Sequence, residues 1–190
     1  TELHQHDADT FIYRYPVVQY KMINNVPTVI GINEGAEVLK KIYDEYQEIR
    51  LGAETYQIVE RGIALKDEEF GISDKIRSYE FATPWLALNQ ENYKRFYALK
   101  GPEERDEFIR KILIGNIISM SKSLGYEILA QIKCDTNLHF QKDRPKDSSV
   151  ITFSGKFHAN FLIPDYLGLG KSVSRGFGAV KQLTVESEKD

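Results

Sequence analysis

The sequence predicts an α+β protein in which two consecutive units each combine an antiparallel sheet with helices. Apolar and polar residues alternate strictly through residues 150–163, and an apolar helical face runs through residues 101–124. Alternation of this kind is typical of a strand that buries one face, and recurrence every three or four residues is typical of an amphipathic helix. The chain has 190 residues, which suffices for one large domain or for two small ones.

The first predicted unit comprises residues 1–76. Its strands are rich in Tyr, Val and Ile, its turn contains two consecutive asparagines, and its helix follows a capping asparagine. The predicted elements are a strand at 12–20, a turn at 24–25, a strand at 28–32, a helix from Asn33 to Gly52 and a strand at 55–63. The polar residues 64–76 predict a linker.

The second predicted unit comprises residues 77–190. Gly101 and Pro102 open its clearest helix, and Gly125 stands where a helix stops. The predicted elements are a bent strand at 78–88, a short helix at 90–99, the helix at 101–124, and strands at 126–135, 150–163 and 177–185.

The element order of the two units indicates tandem ferredoxin-like (RRM-like) units with antiparallel sheets. The second unit reads β-α-β-β-loop-β, and the first reads β-β-α-β, which is the same order without its opening strand and helix. A unit that lacks these elements exposes a sheet edge, which would allow a homodimer.

The composition favours a soluble protein of a reducing compartment, and we expect a cytoplasmic location. The single cysteine, Cys134, excludes an intramolecular disulfide framework and a Cys-rich zinc site. No apolar run reaches the roughly 18 residues that a membrane span requires. The net charge is −3, but residues 131–181 contain eight basic and four acidic residues. A local basic patch of this kind can attract phosphate, or it can be an ordinary solvated face.

A glycine-rich segment spans residues 164–178. Four glycines with a lysine and an arginine between them could aim backbone N–H groups at a phosphate, or they could form a tight structural turn. The spacing excludes other phosphate motifs, because a dinucleotide fingerprint needs glycine in place of Val173 and a Walker A loop needs glycine in place of Asp165.

The stretch from Ile163 to Lys181 resembles the C-terminal end of the CRISPR repeat-RNA endonucleases of the RAMP superfamily. Its glycine pairs, Gly168 with Gly170 and Gly176 with Gly178, are similar to the glycine-rich loop of that superfamily. At the other end, residues 3–21 resemble the histidine-bearing segment of one of its subgroups. Members usually carry a strand and a helix before that segment, and we expect the first unit to lack them.

The resemblance implies a metal-independent endoribonuclease without a cofactor that cleaves CRISPR repeat RNA. His4 and His6 would be the general base and general acid, and Tyr13 would orient the scissile phosphate. Attack by the RNA 2′-OH would leave a 2′,3′-cyclic phosphate and a 5′-hydroxyl. The expected RNA-binding residues are Lys156, Gly168, Gly170, Lys171, Ser172, Arg175, Gly176, Gly178 and Lys181.

Two alternatives stay open at the level of sequence. The chain could bind RNA without cleaving it, as other members of the superfamily do, or His4 and His6 could be ligands of a metal hydrolase. The expected partner is a CRISPR repeat transcript, and no association with a membrane is expected. A second copy of the chain and other CRISPR effector proteins could also bind.

Overall fold

The computed structural model describes residues 15–143 and 150–184. The described residues form eight strands and three α-helices, and they fall into two groups along the chain. The first group contains two separate hairpins and one helix, and the second contains a four-stranded sheet with two helices.

The first group begins with the hairpin of β1 (Val18–Ile23) and β2 (Val26–Gly31). Its two turn residues, Asn24 and Asn25, have φ angles of 49° and 63°. Positive φ at both central residues matches the twist of a two-residue hairpin, and asparagine tolerates it better than most residues. The predicted turn is therefore confirmed. The first residues of the predicted strand, 12–14, lie outside the described part of the chain.

Helix α1 (Glu34–Glu45) and the hairpin of β3 (Glu48–Leu51) and β4 (Glu54–Gln57) complete the first group. The prediction that the helix continues to Gly52 is wrong. Gly52 has a φ of 64° and forms the turn of this second hairpin. Asn33 occupies the N-cap position of α1, but its side chain makes no capping hydrogen bond.

The second group forms an antiparallel sheet in the order β6-β7-β5-β8. Its central strands are the first and third of the group, which is the arrangement of a ferredoxin-like sheet, so the predicted fold class is confirmed. Its elements are β5 (Gly71–Phe81), α2 (Gln90–Ala98), α3 (Pro102–Ser123), β6 (Cys134–Asp143), β7 (Val150–Leu162) and β8 (Val180–Gln182).

The core lies between α3 and one face of this sheet. The predicted apolar face of α3 is buried at Ile109, Leu113, Ile117 and Met120. The predicted apolar face of β7 is also confirmed, and the apolar side chains that it buries are Ile151, Phe153, Phe157, Ala159 and Phe161, followed by Ile163. Thr152 and Asn160, on the opposite face, are buried as well. Long elements with a sustained period were therefore predicted correctly in both type and orientation.

The predictions for two segments of the chain are wrong, because each segment contacts residues that are distant in sequence. Residues 71–76 belong to β5 rather than to a linker, because Gly71 and Ile72 pair with the end of β7. Residues 126–133 are not a strand. There the side chain of Asn160 accepts a hydrogen bond from the N–H of Lys133 at 2.7 Å and donates to the carbonyl of Gln131 at 3.1 Å. These bonds satisfy the N–H of Lys133 and the carbonyl of Gln131 without a strand partner.

Candidate functional site

The three predicted catalytic residues, His4, His6 and Tyr13, lie outside the described residues. Their assignment stays a prediction. The described residue nearest to them in sequence is Tyr15, which is separated from the start of β1 by residues 16 and 17.

The glycine-rich segment connects β7 to β8 and takes the position of the second helix of a ferredoxin-like unit. It contains one 3-10 turn, Val173–Arg175. Gly170 and Gly178 have φ angles of 85° and 67°, which favour glycine. A Cβ atom on Gly178 would collide with the carbonyl oxygen of Leu169, and one on Gly170 would collide with Nε1 of Trp85. Glycine is therefore required at both positions by the protein itself.

The N–H groups of three loop glycines have partners inside the protein. Gly168 donates to Oε1 of Gln19 at 3.1 Å, Gly176 donates to the carbonyl of Val173 at 3.2 Å, and Gly178 donates to the carbonyl of Pro84 at 2.8 Å. Two of these bonds tie the loop to distant segments and one lies inside it, so these glycines have a structural role. Contacts between this loop and a phosphate are therefore expected from its side chains rather than from these three N–H groups.

The loop is also the place where the first group of elements contacts the second. The hydroxyl of Tyr15 donates to the carbonyl of Gly168 at 2.7 Å, and the side chain of Gln19 accepts from the N–H of the same residue. The side chain of Gln19 is 0% exposed, and its Nε2 donates to the carbonyl of Pro16 at 3.0 Å. Neither contact was predicted from the sequence, although a glutamine on the buried face of a Val- and Tyr-rich strand was a signal.

The predicted RNA-binding cations fall on two different surfaces. Lys171 and Arg175 project from the loop, and both are exposed. Lys156 and Lys181 lie on the face of the sheet that points away from α3, where Glu80 is the cross-strand neighbour of each. A carboxylate between two lysines lowers the local positive charge, so the loop is the stronger candidate for a phosphate.

Ser172 stands between the two loop cations in sequence. It adopts a left-handed conformation with a φ of 54°, at the start of the 3-10 turn. Its side chain is half-buried.

Two buried groups have altered acidities. Burial lowers the pKa of Lys21, on the buried face of β1, to about 8. Burial, with a smaller contribution from Asp135, raises the pKa of Cys134 to about 12. The Cys134 thiol is therefore protonated near neutral pH, which makes it a packing residue rather than a nucleophile. Within residues 15–143 and 150–184, no three His, Cys, Asp or Glu side chains are grouped to hold a metal ion.

No helix in the described part of the chain has both the length and the apolar character needed to cross a membrane.

Comparison with known proteins gives matches over almost the whole chain. The family model of the Cas6b N-terminal domain matches residues 1–69, and that of the Cas6b C-terminal domain matches residues 71–183. An uncharacterized protein of Methanocaldococcus jannaschii is 40% identical over 136 residues, which is 70% of this chain and 91% of that protein.

Solved structures agree with these matches. A crystal structure of Cas6b superposes with a TM-score of 0.87 at 40% identity, over 95% of this chain and 83% of that one. A crystal structure of the CRISPR RNA processing endoribonuclease Cas6b gives a TM-score of 0.76 at 39% identity, over 90% of this chain and 83% of that one. A type IV Cas6 crRNA endonuclease, Csf5, shares the fold at 13% identity, with a TM-score of 0.54 over 89% of this chain and 68% of that one. The resemblance seen in the sequence is confirmed, and the chain belongs to the Cas6b family.

Proposed function

We propose that this protein is an endoribonuclease that cleaves CRISPR repeat RNA without a metal ion or cofactor. The observation that carries the proposal is the match, at 39% identity and over 90% of this chain, to a Cas6b structure described as a CRISPR RNA processing endoribonuclease. A shared fold alone does not imply a shared function. Identity at this level over nearly the full length favours a shared activity as well.

The chemistry that we propose is transesterification by the RNA itself. One of the two histidines, His4 or His6, removes the proton of the 2′-OH, and the other protonates the leaving 5′-oxygen. Tyr13 orients the scissile phosphate. The P–O bond to the 5′-oxygen breaks as the bond to the 2′-oxygen forms, which leaves a 2′,3′-cyclic phosphate and a 5′-hydroxyl. Histidine suits both roles because its pKa lies near neutral pH.

We propose that RNA phosphates contact the glycine-rich loop through Lys171, Ser172 and Arg175. The loop is held by its internal hydrogen bonds and by Tyr15 and Gln19, so its side chains are presented in a fixed arrangement. Lys156 and Lys181 would provide weaker contacts on the far face of the sheet. Association with a second copy or with other CRISPR effector proteins is part of this proposal.

Replacing both Lys171 and Arg175 by alanine is expected to weaken RNA binding and to reduce its salt dependence. Each lost phosphate contact lowers the slope of log K against log salt by roughly 0.7 for single-stranded RNA, so the double variant should lose a slope of about 1.4. Fluorescence anisotropy between low and moderate salt measures this slope. The matched control replaces Lys41 and Lys75, two exposed lysines outside the loop, and should keep the wild-type slope. An equal loss in both double variants would argue against a loop-centred site.

The proposed activity is tested by incubating the protein with a labelled repeat-containing RNA in EDTA. We expect one specific cut, with a 3′ product that accepts phosphate from polynucleotide kinase directly because its end is a 5′-hydroxyl. The 5′ product should carry the cyclic phosphate, which mass spectrometry distinguishes from a linear phosphate by the mass of one water. Cleavage that requires an added divalent metal would contradict the mechanism, and tight binding without any cleavage would identify a non-catalytic RNA-binding protein.

A further inference from the structure

A cleft of about 300 Å³ lies beside the glycine-rich loop. One wall is a face of α3, a second is the start of α2, and a third is the loop at Gly168, Gly170 and Lys171. Tyr15 lines it from the first group of elements. Its volume is at the lower end of the range of roughly 300–1,000 Å³ that small-ligand sites occupy, which suits a ligand the size of one nucleotide.

A glycine in the middle of α3 opens this cleft. Gly115 lies inside the helix Pro102–Ser123, and a Cβ atom added to it would meet no atom within 4 Å. Glycine in a helix interior costs about 1 kcal/mol relative to alanine, and here no contact within the described part of the chain requires it. The missing side chain therefore leaves space in the cleft that the protein itself does not fill.

The polar groups of the cleft include the side-chain amides of Asn116 and Asn89, and a hydrogen bond to a donor fixes the orientation of each. Oδ1 of Asn116 accepts the indole N–H of the buried Trp85 at 3.1 Å, and Oδ1 of Asn89 accepts the backbone N–H of Asn92 at 2.7 Å. Because an indole and a backbone N–H can only donate, each asparagine must turn its oxygen to this partner. Among residues 15–143 and 150–184 neither NH₂ group has a hydrogen-bond partner, so each can donate to a ligand.

The remaining lining residues complete a surface suited to a nucleobase. Ala87, Ile112 and Met120 supply apolar contact area, and Ser119 and Ser123 add hydroxyl groups. Lys171 is the cation at the loop wall, and no Asp or Glu is present among the described residues that line the cleft. Donor amides next to an apolar floor and a single cation match a base that carries carbonyl oxygens, together with its phosphate.

We propose that this cleft binds one unstacked base of the repeat RNA, with the amides of Asn116 and Asn89 donating to carbonyl oxygens of guanine, uracil or cytosine. This inference rests on the proposed function and adds a site of sequence recognition to it. Sequence-specific recognition of RNA commonly uses single-stranded bases that are splayed out of the stack, and a cleft of this size admits one such base.

The test compares wild type with Gly115→Leu, which fills the cleft while removing a residue that disfavours the helix. Repeat RNAs carrying a single abasic site are scanned by fluorescence anisotropy. For wild type we expect one position at which loss of the base weakens binding about tenfold or more. For Gly115→Leu we expect a similar loss with intact RNA, and no further loss at that position, because the two changes remove the same interaction.

Two controls separate folding from binding. Gly62→Leu adds the same side chain at a glycine that also has no neighbour within 4 Å, and it should behave as wild type. Thermal unfolding should show that Gly115→Ala melts no lower than wild type, since alanine favours the helix. If leucine prevents folding, Asn116→Asp, which replaces the donor NH₂ by an acceptor, provides the same comparison.

The outcomes that contradict the proposal are distinguishable. No RNA binding by wild type would overturn both the proposed function and this site. RNA binding or cleavage that responds to no abasic position, or a Gly115→Leu variant that keeps the wild-type response, would overturn the base site alone. If free nucleoside monophosphates compete with the RNA for the cleft at the same concentration as the RNA itself, the cleft is a mononucleotide site, and the proposed base site is also overturned.

Discussion

His4→Ala and His6→Ala are each expected to lower the rate of repeat-RNA cleavage by about 100-fold to 10,000-fold, which is the usual contribution of a general acid or base. The rate should be measured under single-turnover conditions with excess protein and EDTA, so that chemistry rather than product release is observed. RNA affinity should change little, since a general acid or base contributes mainly to the transition state. If the two histidines act together, the double variant should be hardly slower than either single variant.

The matched control for these variants is His158→Ala. The ring of His158 lies on the sheet face that points away from α3, where its Nδ1 is 2.9 Å from Oγ of Ser78. Its loss should leave the cleavage rate unchanged. Wild-type rates in both N-terminal variants would contradict the proposed catalytic pair, and restoration of a variant by added zinc or manganese would favour a metal site.

Lys21→Met is expected to stabilise the protein at pH 7 by roughly 3 kcal/mol, because burial disfavours the charged amine. The side chain of Lys21 is 6% exposed, and within the described part of the chain its Nζ has no hydrogen-bond partner. Burial lowers its pKa from 10.5 to about 8. A difference of one pH unit between the folded and unfolded pKa corresponds to about 1.4 kcal/mol. Methionine keeps the length of the side chain and removes the charge.

The pH dependence of this difference has a definite sign. Between pH 8 and 10.5 the unfolded chain holds a proton on Lys21 that the folded chain has released, because the folded pKa is the lower one. The free energy of unfolding of wild type should therefore rise with pH across this window, relative to Lys21→Met, and the advantage of the variant should disappear near pH 10.5. Below pH 8 the advantage should be constant, because both states of wild type are protonated there.

Urea unfolding of wild type and variant at several pH values measures this difference in the free energy of unfolding. The contributions of groups that titrate in both proteins cancel in the difference. Lys41→Met, at an exposed position of α1, is the matched control and should change stability by no more than about 0.5 kcal/mol at any pH. A Lys21→Met variant that is less stable than wild type at pH 7, or a difference that does not depend on pH, would contradict the inference that Lys21 is buried without a partner among the described residues.

Sequence patterns predicted the fold best where one physical signal persisted over many residues. In α3 and β7 the apolar period is long, and each element buries the face that its period indicates. Short segments were less predictable. Residues 46–52 continue the apolar spacing of α1, yet the left-handed conformation of Gly52 turns the chain into a hairpin instead. Local propensity differs little between the two outcomes, so tertiary context decides between them.

The candidate site divides in the same way. The glycine-rich segment and its cations were recognised from sequence, and the family membership that they indicated is confirmed. The hydrogen bonds that hold the loop were not recognisable. Gln19 and Gly168 are 149 positions apart, so no local pattern connects them. The same holds for the bond that orients Asn116 in the cleft, since Trp85 and Asn116 are 31 positions apart.

The sequence by itself determined the α+β class, the long helix and strand of the second unit, and the family of the chain, because these depend on periodicity and on motifs that are contiguous in sequence. The tertiary structure alone decided that the N–H groups of three loop glycines bond to other parts of the protein, that Lys156 and Lys171 lie on different surfaces, and that Gly115 opens a cleft beside the loop. Those features depend on which distant groups meet. These contacts are determined by packing of the whole core and by the need to satisfy buried polar groups, and a short stretch of sequence predicts neither.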